Sequence, residues 1–158
     1  MAIEKIYIQK IKDESEPQAD KLELGEDFGF YGMELPFKIS GEVKEPENNE
    51  WADEDGDDEY LPEDGLKMKA FEIDMKLGYK GDKNTANDKL ETLLEYLTGR
   101  DGSGTRMKIY SSYTKIGYND VRFKSISDDA ELVRDDNGDI LVIKITLKVN
   151  DPITKISL

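Results

Sequence analysis

The feature that most restricts the fold is a long alternating pattern in the last part of the chain. Leu141, Ile143, Ile145, Leu147 and Val149 alternate with Val142, Lys144, Thr146 and Lys148 between Ile140 and Val149. A period of two puts five branched apolar side chains on one face of a strand, so that face needs cover and the other tolerates water. A shorter run, Glu131 to Arg134, precedes it, joined through Asp-Asp-Asn-Gly-Asp. Asn137-Gly138 supplies the positive φ that a tight hairpin wants. An antiparallel pair with one buried face is expected here.

Similar patterns recur upstream. Ile6 and Ile8 flank Tyr7 in a first strand within Ile3 to Ile11. Phe28, Phe30 and Tyr31 sit among glycines, as in a short strand or a turn with aromatic anchors. In Leu35 to Val43, Phe37, Ile39, Gly41 and Val43 share one face. Leu66, Met68 and Ala70 share a parity, and Phe71, Ile73, Met75, Leu77 and Tyr79 take the opposite one. One inserted residue flips every later side chain, so this reads as a single strand with a bulge near Ala70-Phe71. Further strands are expected at Met107 to Tyr110 and Val121 to Ser125.

One segment breaks the period of two. Ala86, Leu90, Leu93, Leu94 and Leu97 repeat at helical spacing between Thr85 and Leu97, with Asn87, Asp88, Glu91 and Glu95 on the other side. Asn84 or Thr85 stands where a helix is capped and Gly99 where one ends. The expected fold is mainly β, α+β in composition: an antiparallel β-sandwich or barrel with one flanking amphipathic helix at about 85–98. A length of 158 residues fits one domain, 1–158, with an acidic loop inserted at 45–64.

That insertion concentrates the charge. Residues 45–64 hold eleven Asp or Glu and no Lys or Arg, in a chain of net charge −14. The remainder, with 25 acidic and 22 basic residues, is close to balance. The acidity is thus a local device.

Other residue types bound the chemistry. The chain has no Cys and no His, which removes disulfides, thiolate metal sites and the commonest general base. The N-terminal stretch lacks the apolar core of a secretory signal, and no apolar run is long enough to span a membrane. The acidic balance opposes tracking of nucleic-acid phosphates, so no sequence-specific nucleic-acid binding is expected. With 36 carboxylates, close pairs arise by chance, and no enzymatic activity is expected.

Three acidic residues, Asp53, Asp55 and Asp57, have the D-x-D-x-D spacing of a calcium loop. An EF-hand needs Gly at its sixth position and Glu at its twelfth; Asp58 and Asp64 stand there. Two readings stay open: a solvated acidic loop, or a different Ca2+ site in a secreted or cell-surface β-sandwich binding module. No other cofactor is expected. Trp51 and Tyr60 bracket the cluster and are the candidate interaction residues. Self-packing that pins the loop to its own domain is the favoured expectation for them, and anchoring of a partner the other.

Two blocks also carry a family resemblance. One is the strand followed by NEWADEDGDDEYLP and the strand beginning LKMKAFEIDMKLGYKG. The other is the helix, its Gly-rich connection, MKIYSSYTKIGYNDVRF and the strand ending ITLKVNDPITKISL. In this order of elements, over about three quarters of its length, the chain resembles small tail proteins of siphophages and prophages, the distal-tail and tail-tube group found in Bacteroidales. The resemblance implies a tail-tube-like β-sandwich or barrel with one helix and a structural, non-enzymatic role. It also implies self-association into a ring, commonly a hexamer, contact with neighbouring tail proteins, and a place in the virion tail after synthesis in the bacterial cytoplasm. It carries no catalytic residues over. In such a tube, an acidic loop facing the lumen would let DNA slide without sticking.

Overall fold

The computed structural model describes residues 5–12, 16, 18–34, 42–127 and 130–156. Its strands are β1 (Ile6–Lys10), β2 (Lys21–Glu23), β3 (Phe30–Glu34), β4 (Asn48–Asn49), β5 (Asp58–Glu59), β6 (Phe71–Gly81), β7 (Met107–Ser111), β8 (Gly117–Ile126), β9 (Glu131–Asp135) and β10 (Gly138–Val149). One α-helix, α1 (Ala86–Thr98), follows β6, and a π-helical turn, Leu24–Phe28, lies between β2 and β3.

Eight strands form one antiparallel sheet in the order β2-β1-β7-β8-β10-β6-β3, with β9 on β10 beside β8. The expected mainly-β, antiparallel architecture is what the chain adopts, with a single α-helix among the described residues. The sheet also curls. Laid flat, its edge strands β2 and β3 would stand roughly 29 Å apart, six gaps of about 4.8 Å. Yet only Leu24–Gly29 connects them, and one helical turn of that length covers less than about 10 Å. The chain itself therefore bridges the seam: β2 bonds to β1, the turn bends, and β3 bonds to β6.

The period-two patterns become the inner face. Phe71, Ile73, Met75, Leu77 and Tyr79 of β6 are buried, opposite Leu141, Ile143, Ile145, Leu147 and Val149 of β10. Ile6, Ile8, Met107, Ile109 and Val121 complete the wall, and Phe30 and Leu24 fill the seam. The α1 helix turns Ala86, Leu93, Tyr96 and Leu97 into this core, and Tyr96 packs on Phe28 with ring centroids 5.0 Å apart. Gly99 ends the helix at φ 78°, as its position implies.

Four expectations change. The strand read as Leu66–Tyr79 begins only at Phe71; Leu66 and Ala70 are exposed and belong to a separate structure. The parity change marks the boundary between that structure and the core, not a bulge. In the β9–β10 turn only Gly138 takes positive φ, at 124°. The Thr85 side chain makes no cap on the first helical amides; a strand residue does, as described below. Most of the Leu35–Val43 strand lies outside the described residues; Val43 forms a single bridge to Met68.

Candidate interaction surface on the acidic arm

The acidic segment folds as a β-arm. At its base Val43 bridges Met68, with hydrogen bonds from Lys44 N to Lys67 O (2.7 Å) and from Lys69 N to Glu42 O (2.7 Å). Further out Tyr60 N donates to Glu47 O (2.8 Å), and β4 pairs with β5. Only two residues, Glu45 and Pro46, separate these ladders on one limb, against six, Leu61 to Leu66, on the other. The excess bows outward around Pro62 and Gly65, whose φ of 101° suits only glycine. The tip reverses at Trp51–Gly56, with Glu54 N bonded to Trp51 O (3.2 Å).

Among the described residues nothing outside the arm bonds to it or buries it. No residue from Glu42 to Ala70 is buried, and every hydrogen bond described for 42–69 has both partners inside it. Trp51 is 52% exposed and Tyr60 68%, so the expected self-packing is overturned. An apolar ring in a charge run wants cover, and that alone favours contact with its own domain. The hairpin instead carries it away from the core. Leu61 and Leu66 are exposed as well. Tyr60, Pro46, Pro62 and Leu66 line an open groove of about 240 Å³ along the bowed limb. The outward bow that makes this groove could have been suspected from Pro62 and Gly65.

Asp53, Asp55 and Asp57 lie exposed at the tip, and Asn48 Nδ2 donates to Asp57 at 3.4 Å. Among the described residues no three carboxylates converge as a metal would require. Asp64 is held 2.6 Å from Lys67, which keeps its carboxyl below the usual range.

The interior charges serve α1. Asp139, on β10, is fully buried. It receives a two-pronged bond from Arg134 (2.8 and 3.0 Å) and accepts from the amides of Thr85 and Ala86, both at 3.1 Å. The Ala86 amide has no intrahelical partner and the Thr85 amide is shared with Asp82 O at 3.3 Å, so Asp139 caps the start of the helix from a strand. The Arg134 bonds hold its carboxyl far below the usual range. At the other end Lys10 Nζ donates to the carbonyls of Tyr96 (2.5 Å) and Gly104 (2.6 Å) and sits 4.4 Å from the Tyr96 ring centroid. Burial lowers its pKa from 10.5 to about 8, against the pull of Asp101. Burial likewise pushes the Tyr96 hydroxyl up to about 12. Sequence reading missed both clamps, although each charge sits on its strand's buried parity: Lys10 with Ile6 and Ile8, Asp139 with Leu141.

An open groove of about 380 Å³ also runs between α1 and β8, with Leu94, Phe123 and Ile126 at its floor. Among the described residues no helix is long and apolar enough to cross a membrane. The sequence matches no family model and no curated protein.

Proposed function

We propose that this chain is a non-enzymatic structural subunit of a phage-type tail that self-associates into a ring or tube. The observation that carries this reading is the arm. A paired hairpin that projects free of its own core, with Trp51, Tyr60, Leu61 and Leu66 exposed, has apolar surface that a partner would cover. Folding of the curled sheet does not use it, and eleven clustered carboxylates repel one another. A covering surface would relieve both. The resemblance in element order to small siphophage tail proteins points the same way, toward a ring with a copy of itself on each side and other tail proteins beyond.

The reading is tested by sedimentation of the purified chain over a rising concentration series, with electron microscopy of the heaviest fraction. Rings or tubes of uniform diameter are expected. A chain that stays monomeric at millimolar concentration and in isolated tails occupies no ring position overturns the reading.

A further inference from the structure

We propose that the slot between α1 and the unpaired end of β8 receives an extended segment of a partner protein, apolar at alternate positions and carrying Lys or Arg between them. The inference goes beyond the self-assembly reading and holds whether or not the chain forms a ring.

A missing strand comes first. The β7–β8 pairing ends where Met107 meets Val121. On its other side β8 stays on β10 as far as Ile126, and β9 continues along β10 from Glu131. Beyond Val121, the side of β8 turned away from β10 has no strand beside it among the described residues, and neither has β9. Alternate residues of such an edge hold out N–H and C=O groups in strand geometry. A helix has no free backbone groups to meet that row; an extended chain has them.

Cover comes second. Where β7 would continue, α1 leaves the open groove of about 380 Å³. Its floor is apolar: Phe123 and Ile126 from β8 and Leu94 from α1, each only partly buried. Leu132 carries the same face on along β9. It pairs with buried Leu141, so it stands on the inner side of the sheet, yet it is 48% exposed. Inward parity without cover is what an absent neighbour leaves.

Charge comes third and selects the occupant. Asp88, Glu91 and Glu95 form one stripe of α1 at i, i+3 and i+7, and the two glutamates line the groove. None of the three is in an ion pair among the described residues. Like charges one turn apart oppose the helix that carries them, and a cation between them would relieve this. Among the described residues Arg100 is the one cation lining the groove. Arg122 and Lys124 have the parity opposite to Phe123 and face outward, where Lys124 meets Glu72. The slot is therefore acidic on balance. A second copy is a poor guest, since the chain carries −14 and its exposed arm is acidic too. A basic, alternating strand of another protein satisfies edge, floor and stripe together.

The probe is a heptapeptide of alternating Lys and Val, blocked at both ends. Titrated into the full chain labelled with nitrogen-15, it should shift the amides of Arg122 to Ile126 and of Glu91 to Thr98. It should also protect the β8 amides from hydrogen exchange. Glu91→Lys with Glu95→Lys should weaken binding at least about tenfold, with the circular dichroism unchanged. The same peptide N-methylated along its backbone should lose at least about tenfold as well, because it keeps its charge and loses its donors. Shifts confined to the acidic arm, or equal binding of the methylated peptide, would mean that charge alone attracts the probe, and overturn the proposal. Absence of binding at millimolar peptide overturns it too. If the same β8 amides shift with protein concentration alone, a second copy fills the slot and the foreign partner is ruled out.

Discussion

The curled sheet and the arm are built from the same hydrogen-bonded antiparallel pairing, yet they differ in what covers their side chains. On β6, alternate residues from Phe71 to Tyr79 are buried against β10 and the helix; on the arm, which ends one residue earlier, none is. Backbone pairing alone therefore does not distinguish a core strand from an appendage. Burying a Leu or Ile side chain is worth about 1.5–3 kcal/mol, and the described core holds twelve of them among 23 buried apolar residues, where the arm has none. Stability should reside in the first region and association in the second.

Substitutions can break that division. The largest effect is expected in the core: Leu147→Ala removes a fully buried side chain and leaves a cavity, and should lower unfolding free energy by about 2–5 kcal/mol in chemical denaturation. Next comes Lys10. Its folded pKa, about 8, lies below the unfolded 10.5, so between those values the unfolded chain holds a proton that the folded chain has released. Stability from this group therefore rises with pH across that window. The stability of the parent relative to Lys10→Met should grow by up to about 3 kcal/mol from pH 8 to 10.5. A pH-independent difference would show that the ammonium is not desolvated.

Asp139→Asn should have a smaller effect, because Asn keeps a carbonyl oxygen for the Ala86 amide. The folded carboxyl is depressed, so its contribution is present above the unfolded pKa near 4 and lost as pH falls below it. The parent should lose stability below pH 4 more steeply than the variant. Equal acid limbs in the two denaturation profiles would remove Asp139 from the helix cap.

How much of this was legible follows from how far each signal travels along the chain. One-sided burial forces a period of two, so Phe71 to Tyr79 and Leu141 to Val149 announced themselves from neighbours two residues apart. The α1 stripe did the same at helical spacing. The clamps join residues far apart: Lys10 to Tyr96, 86 positions away, and Asp139 to Ala86, 53 away. Nothing local to either residue names its partner. The flip at Ala70-Phe71 was visible, but a bulge and the end of an arm leave the same mark in a pattern of parities. What tells them apart is tertiary cover, which Trp51 and Tyr60 lack.

The arm should yield the smallest changes in stability. Lys44 N is bonded to Lys67 O, so residues 45–66 can be replaced by an Asn-Gly turn. The shortened chain should unfold within about 1 kcal/mol of the parent and fail to associate. Calcium sharpens the comparison further. A site of millimolar affinity at the tip would add about 1.4 kcal/mol at 10 mM Ca2+ by mass action. The exposed, unconverged Asp53, Asp55 and Asp57 give no reason for that much. The expected rise in Tm is therefore the same for the parent and the arm-deleted chain. A rise present in the parent and absent from the deletion would make the tip a cation site, and would move the arm's charge from docking to metal binding.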